Sequence, residues 1–134
     1  MPTPVASLGN VVLKQSSVVA GLGVFAGKDF SRGELIELCP VLPLAPVAWQ
    51  SSRSLFEHAV TVSLRPLKAV LPLGYGALYN HADSPNATWS VVSSAEKMEV
   101  TAARDIALGE EIFIFYGPDF SKEQEESENQ RSRP

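Results

Sequence analysis

The chain has 134 residues, 45% hydrophobic and 19% charged, with a formal net charge of −4. That length holds one domain with a real core but not two ordinary ones, and the hydrophobic share argues against a disordered chain. The acidic balance argues against a dedicated nucleic-acid binder, which would carry a basic face, and favours a basic peptide as partner.

Ten prolines and nine glycines predict many turns and short elements, hence a β-rich fold rather than a helical bundle. Residues 1–10, with Pro2, Pro4 and Gly9, read as a loose lead-in. Val11 to Leu13 is β-branched-rich and predicts a first short strand. From Val18 to Ala26 a glycine pair, Gly21 and Gly23, sits between apolar runs, as expected where backbone turns or approaches a ligand closely. A polar turn from Asp29 to Glu34 precedes a strand over Leu35 to Leu38. Cys39, the single cysteine, cannot form an intrachain disulfide or a cysteine-based zinc site, and its apolar neighbours predict a small buried residue.

Between Pro40 and Pro72 the pattern weakens, and only Ser51 to Ser63 could hold a short helical or mixed segment. Leu73 to His81 combines glycines with aromatics and ends in the polar pair Asn80-His81, followed by a strong turn signal from Asp83 to Asn86. Trp89 to Val92 and Met98 to Ala102 predict two strands joined by a loop over Ser93 to Lys97. Leu108 to Glu111 is a second polar turn, leading into Ile112 to Tyr116, the most strand-like run of all. The turns echo each other: Lys28-Asp29-Phe30-Ser31-Arg32-Gly33-Glu34 and Arg104-Asp105-Ile106-Ala107-Leu108-Gly109-Glu110 share a basic-Asp-apolar-x-x-Gly-Glu pattern. Two such turns could organise one β scaffold. Beyond Phe120 every residue is polar or proline, with four glutamates, and a mobile tail over 121–134 is predicted.

Four segments in this order resemble the SET family of protein lysine methyltransferases: Gly21 to Ala26, Asp29 to Ile36, Tyr79-Asn80-His81 with Ser84-Pro85-Asn86, and Gly109 to Gly117. The resemblance spans about residues 11–120 and is nearest to the minimal stand-alone type known from a large virus, which also has Leu-Gly-aromatic-Gly-Ala before Asn-His. It implies a mainly β SET (β-clip) fold: several short sheets, little helix, and a knot-like carboxy-terminal strand beside the Asn80 loop.

The implied activity is transfer of methyl from S-adenosylmethionine to a lysine in a basic protein tail, with histone H3 as the leading substrate and S-adenosylhomocysteine as product. The alternative is a non-catalytic, degenerate SET domain acting as a peptide-binding module. By resemblance the cofactor is held by Gly21, Leu22, Gly23, Asn80, His81 (chiefly through its main chain) and Tyr116. Tyr116 is also the catalytic residue: a phenol at a strand end that orients the lysine amine. The lysine has an ordinary pKa near ~10.4 and must be neutral to accept the methyl, which a narrow apolar channel favours. Tyr79, Trp89, Ile114 and Phe120 are candidate walls of that channel. The cysteine-rich segment that binds zinc in many relatives is missing, so residues 117–134 or a second subunit would complete the channel. Homodimerisation is neither demanded nor excluded.

The two histidines have no carboxylate at metal-ligand spacing, so no metal is expected. Without a signal-like leader or a run of ~20 apolar residues, the sequence predicts a soluble intracellular protein, cytoplasmic or, in a eukaryote, nuclear.

Overall fold

The structure, a computed structural model, describes residues 4–44, 60–64, 67–92 and 96–115. Ten strands are present among them: β1 (Ala6–Ser7), β2 (Val11–Gln15), β3 (Leu22–Ala26), β4 (Leu35–Leu44), β5 (Val60–Leu64), β6 (Leu67–Pro72), β7 (Asn80–His81), β8 (Ala87–Val92), β9 (Lys97–Ala102) and β10 (Glu111–Ile114). No helix occurs among the described residues. The strands form two five-stranded sheets, ordered β1-β2-β3-β10-β7 and β5-β6-β4-β9-β8.

The predicted strands at residues 11, 35, 89, 98 and 112 are all present, some of them with the alternation of a half-buried strand. β9 shows this most cleanly: Met98, Val100 and Ala102 point into the core while Lys97, Glu99 and Thr101 point outward. Part of the run from Ser51 to Ser63 lies outside the described residues, as do Ser93 to Ala95, but Val60 onward is strand.

β4 runs longer than the prolines suggested. Its first half, Leu35 to Pro40, pairs with β9, and its second half, Val41 to Leu44, pairs with β6. Each half therefore has a ladder on one side only, and Pro40 and Pro43 fall where a missing N–H costs no interior bond. A register shift between Leu35 and Glu37 places Ile36 and Glu37 inward together.

That shift buries the Glu37 carboxylate, which must then be hydrogen-bonded. Tyr75 N donates to it at 2.9 Å and the Tyr79 hydroxyl at 2.6 Å. Burial first, and then the Glu37 charge, push the Tyr79 phenol well above its ordinary pKa, so it stays a donor. Cys39 is fully buried beside this group, as its apolar neighbours predicted, and burial pushes its thiol up in the same way.

The two echoing turns meet face to face. Phe30 and Ile106, both buried, form an antiparallel bridge in which each N–H donates to the other's carbonyl, at 2.8 and 2.9 Å. The aspartates then reach across reciprocally: Leu108 N donates to Asp29 at 2.7 Å, and Arg32 N donates to Asp105 at 2.9 Å. Gly33 and Gly109 hold matching positive φ values of 87° and 89°. The repeated motif thus builds a locally two-fold junction whose following strands, β4 and β10, belong to different sheets.

Candidate functional site

β10 occupies the interior of its sheet, antiparallel to β3 and parallel to β7, with Ile112 opposite Val24 and Phe113 opposite Asn80. This sheet brings the glycine motif, the Asn80-His81 pair and the strand leading to Tyr116 side by side. The strand alone does not fix that arrangement; two asparagines and a glutamate do.

Asn86 is 2% exposed. Its Nδ2 donates to the Glu111 carbonyl at 2.9 Å, while its Oδ1 accepts from Phe113 N at 2.7 Å. A side-chain amide here replaces a neighbouring strand and satisfies two backbone groups of β10. Asn80 holds the same strand through the Glu111 side chain. Its Nδ2 donates to Glu111 Oε2 and to the Leu22 carbonyl, both at 3.0 Å.

Glu111 is the hub. Its carboxylate accepts from Ser16 Oγ at 2.8 and 3.0 Å, from Ser17 N at 2.8 Å and from Ser17 Oγ at 2.7 Å, besides Asn80. Burial alone would raise its pKa, but the hydrogen bonds from Asn80, Ser17 and Ser16 outweigh it and hold the carboxyl below the ordinary glutamate value. The site is therefore anionic and fully donated to at neutral pH.

The two glycines serve different ends. A Cβ at Gly23 would collide with Glu111 Oε2 and lie 3.1 Å from Asn80 Nδ2, so this glycine makes room for the hub itself. Gly21 has a φ of 116° and open space where a Cβ would point, which leaves the backbone accessible to a ligand. Around it Val18, Val19 and Leu22 are exposed large apolar side chains, at 64%, 45% and 40%. Open backbone, apolar side chains and an amide thus sit on one surface.

The remaining expected residues fall as follows. His81 is exposed; its Nε2 lies 3.1 Å from Asp83 and its ring centroid 4.9 Å from that of Phe115. The half-buried Trp89 donates from its indole N–H to the Phe115 carbonyl at 2.8 Å, fixing the backbone one residue before Tyr116. Ile114 is buried in β10. Tyr79 is 1% exposed with its hydroxyl on Glu37, so its ring faces the core rather than an open channel. Tyr116 and Phe120 lie outside the described residues. Among the described residues no group of histidine, cysteine, aspartate and glutamate could hold a metal ion.

No role was assigned from the sequence to Glu37, Ser16 or Ser17, nor to Asn86 and Glu111, which stand inside the resembling segments. Only the Glu111 region carried a usable signal, because a glutamate inside an apolar strand start needs a buried partner.

The SET domain family pattern matches residues 21–117. Among characterised proteins, the chain is 30% identical over 115 residues to the histone-lysine N-methyltransferase, H3 lysine-37 specific, of Schizosaccharomyces pombe, covering 85% of this chain and 78% of that one. Among solved structures it is similar to a Plasmodium falciparum protein described as a histone methyltransferase, at a TM-score of 0.68 and 30% identity over 86% of this chain and 99% of that one. A chain of the Chaetomium thermophilum Polycomb Repressive Complex 2 shares the fold at a TM-score of 0.69, 23% identity, and 87% of this chain against 16% of that one.

Proposed function

Since this chain belongs to the SET-domain family of lysine methyltransferases, we propose that it uses S-adenosylmethionine to methylate a lysine in a basic protein tail, with histone H3 as the first substrate to test. The observation that carries this reading is the surface around Gly21 and Asn80. Both hydrogens of the Asn80 amide are committed, to Leu22 and Glu111, so its Oδ1 is what can face a ligand. An acceptor beside accessible backbone and exposed Val18, Val19 and Leu22 fits a ligand with an ammonium group at one end and apolar surface along its length.

S-adenosylmethionine, when bound, supplies a methyl group activated by a sulfonium. Asn80 Oδ1 would accept from the ammonium of its amino acid end, and the backbone at Gly21, Leu22 and Gly23 would approach the carboxylate. His81 would contribute through its main chain. The residues after β10 supply the rest of the site. Trp89 clamps the Phe115 carbonyl, and Ile114 anchors the strand in the core, so the described chain is held up to the residue before Tyr116. Its hydroxyl is assigned to orient the lysine amine in line with the methyl, the alignment on which such a transfer chiefly depends. Trp89 and Phe120 are the proposed walls of the lysine channel, with Tyr79 supporting them from the core. Apolar walls favour the neutral amine that can accept a methyl.

The acidic chain would favour encounter with a basic tail. A histone substrate would place the protein in the nucleus, and no helix among the described residues is long and apolar enough to cross a membrane. The test is thermal stabilisation by S-adenosylhomocysteine. At a ligand concentration 100-fold above Kd, a ligand that binds only the native state adds about 2.7 kcal/mol of stability, a shift of several degrees. An unmoved Tm at millimolar ligand would refute the cofactor assignment and favour a peptide-binding module instead.

A further inference from the structure

The loop between β2 and β3, residues 16–21, is almost wholly exposed. Its large side chains, Val18 and Val19, point to solvent and give it no apolar anchor. One backbone bond closes it, Ser16 N to the Gly21 carbonyl at 2.9 Å. Its other described hydrogen bonds centre on Ser16 and Ser17, which Glu111 holds. Ser16 Oγ and Ser17 donate to the carboxylate, and the same Ser16 Oγ accepts from Val18 N and Val19 N, each at 3.2 Å. The carboxylate also takes the Asn80 amide at 3.0 Å, so one side chain at the start of β10 sets the loop and the asparagine together.

We propose that Glu111 is a positioning residue for cofactor binding, which holds the Ser16–Gly21 loop and the Asn80 amide in the geometry that receives S-adenosylmethionine. The inference rests on the function proposed above. A carboxylate suits the role because every partner here is a donor and an ionised carboxylate is acceptor-only. The sequence separations of 94 and 31 residues between Glu111 and Ser17 or Asn80 mean that no local structure would hold these groups together in its place. Charge-assisted bonds of this kind are also about twice as strong as neutral ones.

Glu111→Gln keeps the shape but turns an N–H₂ group toward the Ser17 N–H or the Asn80 amide. Ser16→Ala combined with Ser17→Ala cuts the same network from the exposed side, where the fold does not depend on it, and so remains informative if Glu111→Gln folds poorly. Two measurements decide the matter. Amide hydrogen exchange without ligand should show residues 16–22 opening by about tenfold or more in both variants, with β4 and β9 protected as in wild type. Calorimetry should show S-adenosylhomocysteine Kd weakened by about tenfold or more, and in turnover the loss should fall on KM for S-adenosylmethionine rather than on kcat. Loop exchange equal to wild type in both variants would overturn the proposal, and so would a Kd within twofold of wild type. If wild type itself bound no S-adenosylhomocysteine, the cofactor reading would fall and this proposal with it. Loss of affinity confined to the variants cannot be mistaken for that result.

Discussion

Asn86→Ala should be among the most destabilising single changes in the molecule. The side chain spans β10 with two bonds of 2.9 and 2.7 Å, one to the Glu111 carbonyl and one from Phe113 N, at a residue that is 2% exposed. Alanine leaves both backbone groups without a partner in a place where water cannot replace it. Each such group costs about 1–3 kcal/mol, so a total of about 2–6 kcal/mol is expected. That is a large share of the roughly 5–15 kcal/mol available to a domain, and corresponds to a Tm drop on the order of 10 °C. Equilibrium urea unfolding of the purified variant, followed by fluorescence, measures it directly. Asn86→Asp is the sharper control: it keeps the acceptor for Phe113 N but sets a negative charge against the Glu111 carbonyl, and should do no better than alanine. A loss below about 1 kcal/mol for Asn86→Ala would refute the claim that this side chain holds β10 in place of a strand.

Tyr79→Phe removes a 2.6 Å donor from the buried Glu37 carboxylate and should cost about 1.5–3 kcal/mol in the same unfolding assay. Glu111 is held below the ordinary glutamate pKa, so it stabilises the fold above that value and its contribution is lost as pH falls through the lower folded one. Wild type should therefore weaken below about pH 4.3, with a shallower fall for Glu111→Gln in unfolding curves at several pH values. Cutting the chain after Phe120 removes four glutamates and no large apolar side chain, so Tm should barely change while the KM for a basic peptide rises. That rise should shrink with salt, as the Debye length falls from ~10 Å at 0.1 M to ~3 Å at 1 M.

The strands were legible because their β-branched and apolar residues are written locally: in β9, Met98, Val100 and Ala102 mark the strand without knowledge of any partner, and they face inward. The paired turns were legible for a related reason, since the repeated Asp-apolar-x-x-Gly-Glu motif folds back on itself through Phe30 and Ile106. β4 was not legible past Pro40, because its change of partner from β9 to β6 is a tertiary fact that makes the prolines harmless. The site divides in the same way. The resemblance assigned Gly21, Gly23 and Asn80 alike to the cofactor, and only the fold displays that Gly23 also makes room for Glu111. Glu37 and Glu111 were missed because a buried carboxylate is explained by its donors, and these lie 38 and 42 residues away for Glu37 and as many as 95 away for Glu111. Tyr79 looked like a channel wall by its place beside Asn80, yet successive residues of an extended segment point to opposite sides, and its ring points inward.

The central claim is methyl transfer to lysine, and the most direct measurement is mass spectrometry of a histone H3 tail incubated with the purified chain and isotopically labelled S-adenosylmethionine. The labelled methyl should appear on a lysine side chain, with one S-adenosylhomocysteine formed per methyl transferred. Tyr116→Phe should reduce the rate by at least ~100-fold, on the order of 3 kcal/mol of barrier, with little change in S-adenosylhomocysteine affinity. A wild-type chain that binds S-adenosylhomocysteine tightly, yet transfers no label to H3 or to any other lysine-rich protein supplied in excess, would contradict the account.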